Sequence, residues 1–224
     1  MLKAIIFDFD GVLADTEPIH FMMFQRVLDE EGLPLSQHDY YDKYVGLDDK
    51  GCFRAVLSAH GRPASPGTTQ RLVERKAAIL LEHLKTHLMI FPGVVEFVTT
   101  AATRRRLAIV SGALRHEIEY ALEAAGIRKS FEHITAAEDV RNGKPDPEGF
   151  LHALRYLDQK EAVRAAECLV IEDTIAGIQA AKAAGMRCLA VTNTYPADQL
   201  TMADTVTSTL KGYDLESLAR RYWS

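Results

Sequence analysis

Apolar positions along the chain follow two rhythms. KAIIF (3–7), RLAIVS (106–111), HITAA (133–137), CLVIE (168–172) and RCLAVT (187–192) are short runs without polar alternation. That is the pattern of strands covered on both faces, as in a parallel sheet. DTVTS (204–208) is a weaker sixth candidate. Between the runs, HEIEYALEAAG (116–126), DPEGFLHALRYL (146–157) and TIAGIQAAKAAG (174–185) place apolar residues three and four apart, and two of them close on a glycine stop. Strand and helix in alternation predict an α/β fold with a doubly wound parallel sheet, a Rossmann-like core.

Residues 16 to 88 break that rhythm. IHFMMFQRVLDEEG (19–32), FRAVLSAHG (53–61) and TTQRLVERKAAILLEHLKTHL (68–88) are helical patterns with no strand among them. The expected organisation is a core of residues 1–15 and 89–224 carrying an all-helical insert, 16–88. Turn-rich stretches mark its edges, Asp15-Thr16-Glu17-Pro18 on one side and Phe91-Pro92-Gly93 on the other.

Composition narrows the possible partners. The 224 residues suffice for a well-buried core, and 47% hydrophobic with 25% charged is ordinary for a globular protein. A net charge of -5 without a long basic block offers no footprint for nucleic acid or an anionic membrane. Arg104, Arg105 and Arg106 form the one compact basic run, expected as a solvated turn before a strand. Neither a membrane span nor a signal-peptide pattern is visible, so the expected location is cytoplasmic. Cys52, Cys168 and Cys188 match no zinc or redox spacing and are expected to be reduced and buried. The expected state is a monomer or a weak homodimer.

Ligands of a doubly wound sheet bind beyond the carboxyl ends of its strands. Asp8 and Asp10 follow the first strand, Ser111-Gly112 the second and Glu172-Asp173 the fourth, while Lys144 lies in the loop GKPDP. Four carboxylates and one lysine would meet at one edge. Like charges so close raise one another's pKa and call for a hard divalent cation. An oxygen-only set without histidine or cysteine favours Mg²⁺ over zinc.

These motifs resemble those of the haloacid dehalogenase superfamily: DFDGVLADT (8–16), Ser111-Gly112, GKPDP (143–147) and EDTIAGIQAAKAAGM (172–186). The insert after the first motif resembles the cap of the subgroup containing phosphoglycolate phosphatases, sugar-phosphate phosphatases and β-phosphoglucomutase. The resemblance implies that Asp8 is the nucleophile forming a phosphoaspartate and that Asp10 is the general acid and then base. It implies that Ser111, Gly112 and Lys144 bind the phosphoryl group. Mg²⁺ would take Asp8, the Asp10 carbonyl and Asp173, with Glu172 second to them or bridged by water. Gly177 is expected to let a helix pack close to the sheet, and Asp15 and Thr16 to cap a helix or sit in a hinge.

For Glu17, His20 and Lys76, cap residues in this resemblance, a substrate contact stands beside blander readings. His20 also reads as a surface or core histidine, and Lys76 beside Arg71 and Arg75 as a solvated face. The expected activity is a Mg²⁺-dependent phosphatase, a phosphoric monoester hydrolase acting on a small phosphate ester such as a sugar or polyol phosphate. The alternatives are a phosphomutase using the same aspartate and a non-catalytic phosphometabolite-binding module. In VGLDDKG (45–51), Asp48 and Asp49 stand where the mutase pattern has a phosphate-gripping arginine, which favours a monophosphate substrate.

Overall fold

The computed structural model describes residues 1–160 and 162–223; Glu161 and Ser224, within the expected core segment, lie outside the described residues. Its strands are β1 (Ala4–Phe7), β2 (Arg106–Val110), β3 (His133–Thr135), β4 (Cys168–Glu172), β5 (Arg187–Val191) and β6 (Thr205–Thr207). All pair in parallel in the order β3-β2-β1-β4-β5-β6, as the alternation predicts. β1 lies between β2 and β4 and is fully buried, so its run of four apolar residues needs no polar face. Ala4 stands opposite both Arg106 and Cys168.

The helices are α1 (Glu17–Glu30), α2 (Gln37–Asp39), α3 (Asp49–Ala59), α4 (Pro66–His87), α5 (Val94–Ala102), α6 (Arg115–Ala124), α7 (Glu148–Lys160), α8 (Ile175–Ala183) and α9 (Leu215–Trp223). Phe97 of α5, Ile118 of α6 and Leu218 of α9 cover one face of the sheet with Ile5 and Phe7. Phe150 of α7 and Ile178 of α8 cover the other, with Ala4 and Ile6. Alternate β1 residues thus feed two cores, the packing expected of a doubly wound sheet.

Helices α1 to α4 hold a core of their own. Phe24, Val27 and Leu28 of α1 meet Phe53 and Val56 of α3 and Leu72 of α4, and the Phe24 and Phe53 rings lie edge to face at 5.0 Å. The chain crosses between the two bodies twice, and the crossings are zipped together. Asp15 N–H donates to the Met89 carbonyl (2.8 Å) and Phe91 N–H to the Leu13 carbonyl (3.1 Å). At Gly93, φ is +83°, and a Cβ would fall 2.4 Å from the Lys211 Cα.

Several boundaries differ from expectation. α1 begins at Glu17, with Pro18 in its first turn, where a missing N–H costs nothing. α3 begins at Asp49, because the Asp48 carboxylate accepts from Gly51 N–H (2.7 Å) and caps it. Helices α5 and α9 were not expected; VVEFVTTAA is rich in β-branched residues that favour strand on propensity alone. The arginine run is only partly a solvated turn. Arg104 is exposed, but Arg105 pairs with Glu216 (3.3 Å), and Arg106 lies in β2 and pairs with Glu132 (2.8 Å). All three cysteines are buried and free. Among the described residues, no helix is long and apolar enough to cross a membrane.

Candidate active site

The chain leaves β1 at Asp8 and turns back at once. Asp8 N–H still donates to Ile171 of β4 (2.9 Å), extending the ladder by one residue, while Gly11 N–H closes onto the Ala14 carbonyl (2.9 Å). Gly11 has φ +73°, and a Cβ there would sit 1.9 Å from Asp173 Oδ2, so only glycine lets these two strand ends meet. The turn brings Asp8 and Asp10 to the floor of a cavity of about 70 Å³, also lined by Ser111, Gly112 and Lys144.

Lys144 Nζ lies 2.8 Å from Asp8 Oδ1 and also pairs with Glu172 Oε1. Glu172 has no exposed surface, and its second oxygen accepts from Asp173 N–H, Thr174 N–H and the Thr174 hydroxyl, each at 2.9 Å. Both its oxygens therefore serve the protein: one holds Lys144, the other the start of α8. Gly177 makes this possible, because a Cβ there would lie 1.8 Å from Glu172 Oε1. The expected packing role of Gly177 thus holds: it lets α8 lie close against the end of β4, and the space it leaves takes the Glu172 carboxylate.

Asp173 is 1% exposed; its Oδ2 accepts from the Thr194 hydroxyl and its Oδ1 has no partner. Oxygens of Asp8, Glu172 and Asp173 can lie within 4.8 Å of one another. Burial, reinforced by the charges of Glu172 and Asp8, pushes the Asp173 carboxyl well above the carboxylate range. Burial likewise raises Asp8, against the pull of Lys144. Neighbouring buried carboxylates, one oxygen left without a donor and a donor set made only of oxygens fit a hard divalent cation.

Asp10 is held by other groups. The Thr16 hydroxyl donates to Oδ1 at 2.5 Å, His20 Nε2 lies 3.3 Å from the same oxygen, and the Ser111 hydroxyl is 3.3 Å from Oδ2. Thr16 stands at the N-cap position of α1, yet its side chain serves Asp10 and not the helix. Burial alone would raise the Asp10 carboxyl; His20 and Thr16 outweigh it and hold it at about 2.

Behind His20, the Lys76 ammonium lies 2.8 Å from Nδ1 and 2.6 Å from Asp49 Oδ1, with no exposed surface. Burial and Lys76 lower the His20 pKa, but Asp10 and Asp49 raise it by more. An ammonium can only donate, so Nδ1 accepts and Nε2–H points to Asp10. The solvated reading of Lys76 is overturned: it is a buried ion-pair partner and does not line the cavity. Glu17 and His20 do line it, and the Tyr40 hydroxyl donates to Glu17.

Besides Tyr40, further side chains of this assembly were not expected from the sequence. Asn193 donates to the Gly11 carbonyl (2.7 Å) and Thr194 to Asp173. Both directly follow β5, where the strand-end rule could have found them. Glu117, buried in α6 with Oε1 unpartnered, gave no such signal.

Carboxylates and a lysine gathered at the carboxyl edge of a parallel sheet, roofed by helices, form the candidate site of a doubly wound α/β protein. The model of the Haloacid dehalogenase-like hydrolase family matches residues 5–191, and the chain belongs to that family. It is 31% identical over 187 residues to the Phosphorylated carbohydrates phosphatase of Thermotoga maritima, covering 83% of this chain and 82% of that protein. It is 29% identical over 195 residues to the Beta-phosphoglucomutase of Bacillus subtilis, covering 85% and 83%. The crystal structure of CbbY from Rhodobacter sphaeroides in complex with phosphate superposes with a TM-score of 0.82 at 25% identity, covering 94% and 95%. Beta-phosphoglucomutase from Clostridium difficile shares the fold, with a TM-score of 0.88 at 24% identity over 99% and 97%.

Proposed function

We propose that this enzyme, a phosphoric monoester hydrolase, releases phosphate from a small sugar or polyol phosphate through a phosphoaspartate on Asp8, with Mg²⁺ as cofactor. The observation that carries this reading is the unpartnered Asp173 Oδ1, buried in the cluster that also holds Asp8 and beside the pairing of Asp8 with Lys144. Carboxylates of Asp8 and Asp173 and the Asp10 carbonyl would hold the cation. When bound, it would keep Asp8 ionised and draw charge from the phosphoryl oxygens.

Asp8 attacks phosphorus to form an acyl phosphate while the ester oxygen takes a proton from Asp10. Asp10 then takes a proton from the water that attacks the same phosphorus, freeing phosphate and Asp8. The free site holds Asp10 ionised, and the approach of a doubly charged phosphate works against that and favours its protonated form. Lys144, kept in place by Glu172, offsets charge on Asp8 and on the phosphoryl group, with Ser111 and Gly112 beside it. Residues 16–88 act as the cap, with Glu17 and His20 facing the leaving group and Lys76 positioning His20.

The relative named Beta-phosphoglucomutase supports a second reading, in which the phosphoryl group returns to a sugar. A panel of phosphorylated metabolites with Mg²⁺, with free phosphate and isomerised product measured separately, decides between them. Asp8→Asn is expected to keep the fold, checked by circular dichroism, and to lower turnover on the order of 10³-fold or more. Retention of a tenth of the activity would refute the nucleophile.

A further inference from the structure

The roof of the cavity is acidic. Glu17, Asp48 and Asp49 line it, whereas its basic side chains are Lys144, on Asp8, and His20, on Asp10. The three acids are not equivalent. Glu17 accepts from the Tyr40 hydroxyl, and Asp48 Oδ1 caps α3. Asp49 is 8% exposed; its Oδ1 is neutralised by Lys76, while its Oδ2 is buried with no donor. An acceptor left unmade costs free energy until a donor reaches it. Asp49 comes from α3 in the helical segment, whereas Asp8, Ser111, Gly112 and Lys144 come from the strand ends and their loops. Lys76, which pairs with Asp49 Oδ1, does not itself line the cavity.

We propose that Asp49 selects the leaving group: its free Oδ2 takes a hydrogen bond from a hydroxyl or ammonium remote from the phosphate, and rejects esters carrying a carboxylate or second phosphate there. This rests on the phosphatase reading and names the half of the substrate which that reading leaves open. Donor and anion are discriminated by different means. The donor completes a buried acceptor, whereas an anion meets a carboxylate and must itself be desolvated.

Three esters of one carbon skeleton separate the cases: glucose 6-phosphate, glucosamine 6-phosphate and 6-phosphogluconate, with p-nitrophenyl phosphate as a reference for the chemical step. The wild type is expected to favour the first two over the third by about tenfold or more in kcat/KM. The better of those two tells hydroxyl from ammonium. Asp49→Asn leaves the Lys76 charge uncompensated and is expected to shrink that preference at least about fivefold, while Lys76→Met leaves Asp49 uncompensated and enlarges it. Opposite shifts are not what a merely structural ion pair gives, since its loss would depress all three esters together.

Preferences unchanged in both variants overturn the inference, as does a wild type that hydrolyses p-nitrophenyl phosphate but none of the sugar esters, or that prefers 6-phosphogluconate. Should Asp49→Asn fail to fold, Lys76→Met and Asp49→Ser decide by the same ratio. Release of phosphate from none of the four esters by the wild type would overturn the phosphatase reading itself.

Discussion

Glu172 and Asp173 are adjacent, both buried and both acidic, yet their oxygens are placed differently. Glu172 is saturated by Lys144, Thr174 and backbone N–H groups, whereas Asp173 keeps one oxygen without a donor. Removing them is expected to fail in different ways. On the proposed Mg²⁺ site, Asp173→Ala should weaken binding by about tenfold or more, since it would delete a ligand. Glu172→Ala should weaken it less and should cost more stability, because the Lys144 ammonium would be left with Asp8 alone and the start of α8 would lose its acceptor. Calorimetric titration with Mg²⁺ and melting curves of the two variants check this, and the reverse order of affinities would exchange the two roles.

At the scale of the element, α8 shows how a helix is subordinated to a site. On propensity alone, alanine in place of Gly177 would stabilise the helix by about 1 kcal/mol. The added Cβ would lie 1.8 Å from Glu172 Oε1, however, and the carboxylate it displaces holds Lys144. Overpacking of this kind costs about 1–3 kcal/mol, so Gly177→Ala is expected to melt several degrees lower and to lose activity. A higher melting temperature with full activity would refute the account. The sequence displays this glycine within an alanine-rich run, where close helix packing is the natural reading; the oxygen it clears belongs to another element and is visible only in three dimensions.

The same division runs through the rest of the chain. The strands were legible because a strand covered on both faces must be apolar throughout, and Asp8, Asp10, Ser111, Lys144, Glu172 and Asp173 were legible because polar residues at such strand ends have little other reason to gather. Helix α5 was not, since its β-branched residues argue for strand and tertiary packing overrides them. Lys76 looked like one more cation in a row with Arg71 and Arg75. Those two pair with Glu31 and Glu30 at the surface, whereas the turn of the helix sends Lys76 inward to Asp49, a partner 27 residues away.

For the molecule as a whole, the roof rests on the floor. A Cβ on Gly112 or Gly143 would come within about 3.5 Å of Asp48 atoms, and Gly46 is as close to Thr174. The two chain crossings, tied to each other by the Asp15–Met89 and Leu13–Phe91 backbone hydrogen bonds, are where a hinge between helices and sheet would have to lie. Beryllium fluoride, a mimic of the phosphoryl group on an aspartate, is expected to slow amide exchange at residues 46–49 and 112–113 and to reduce the radius of gyration in solution scattering. No change in either measurement would count against closure over the phosphate.

The central place of β1 also governs how the protein comes into being. Ala4–Phe7 is made before either strand that flanks it: β2 begins at Arg106, about 100 residues later, and β4 only at Cys168. Meanwhile the helical segment can gather around Phe24, Phe53 and Leu72 without help from the sheet. Asp8 acquires Lys144, Glu172 and Asp173 as neighbours only when β4 slots in beside β1. The cluster around Asp8 therefore assembles only after β4 has been made and docked, and its appearance reports that β4 is in place beside β1.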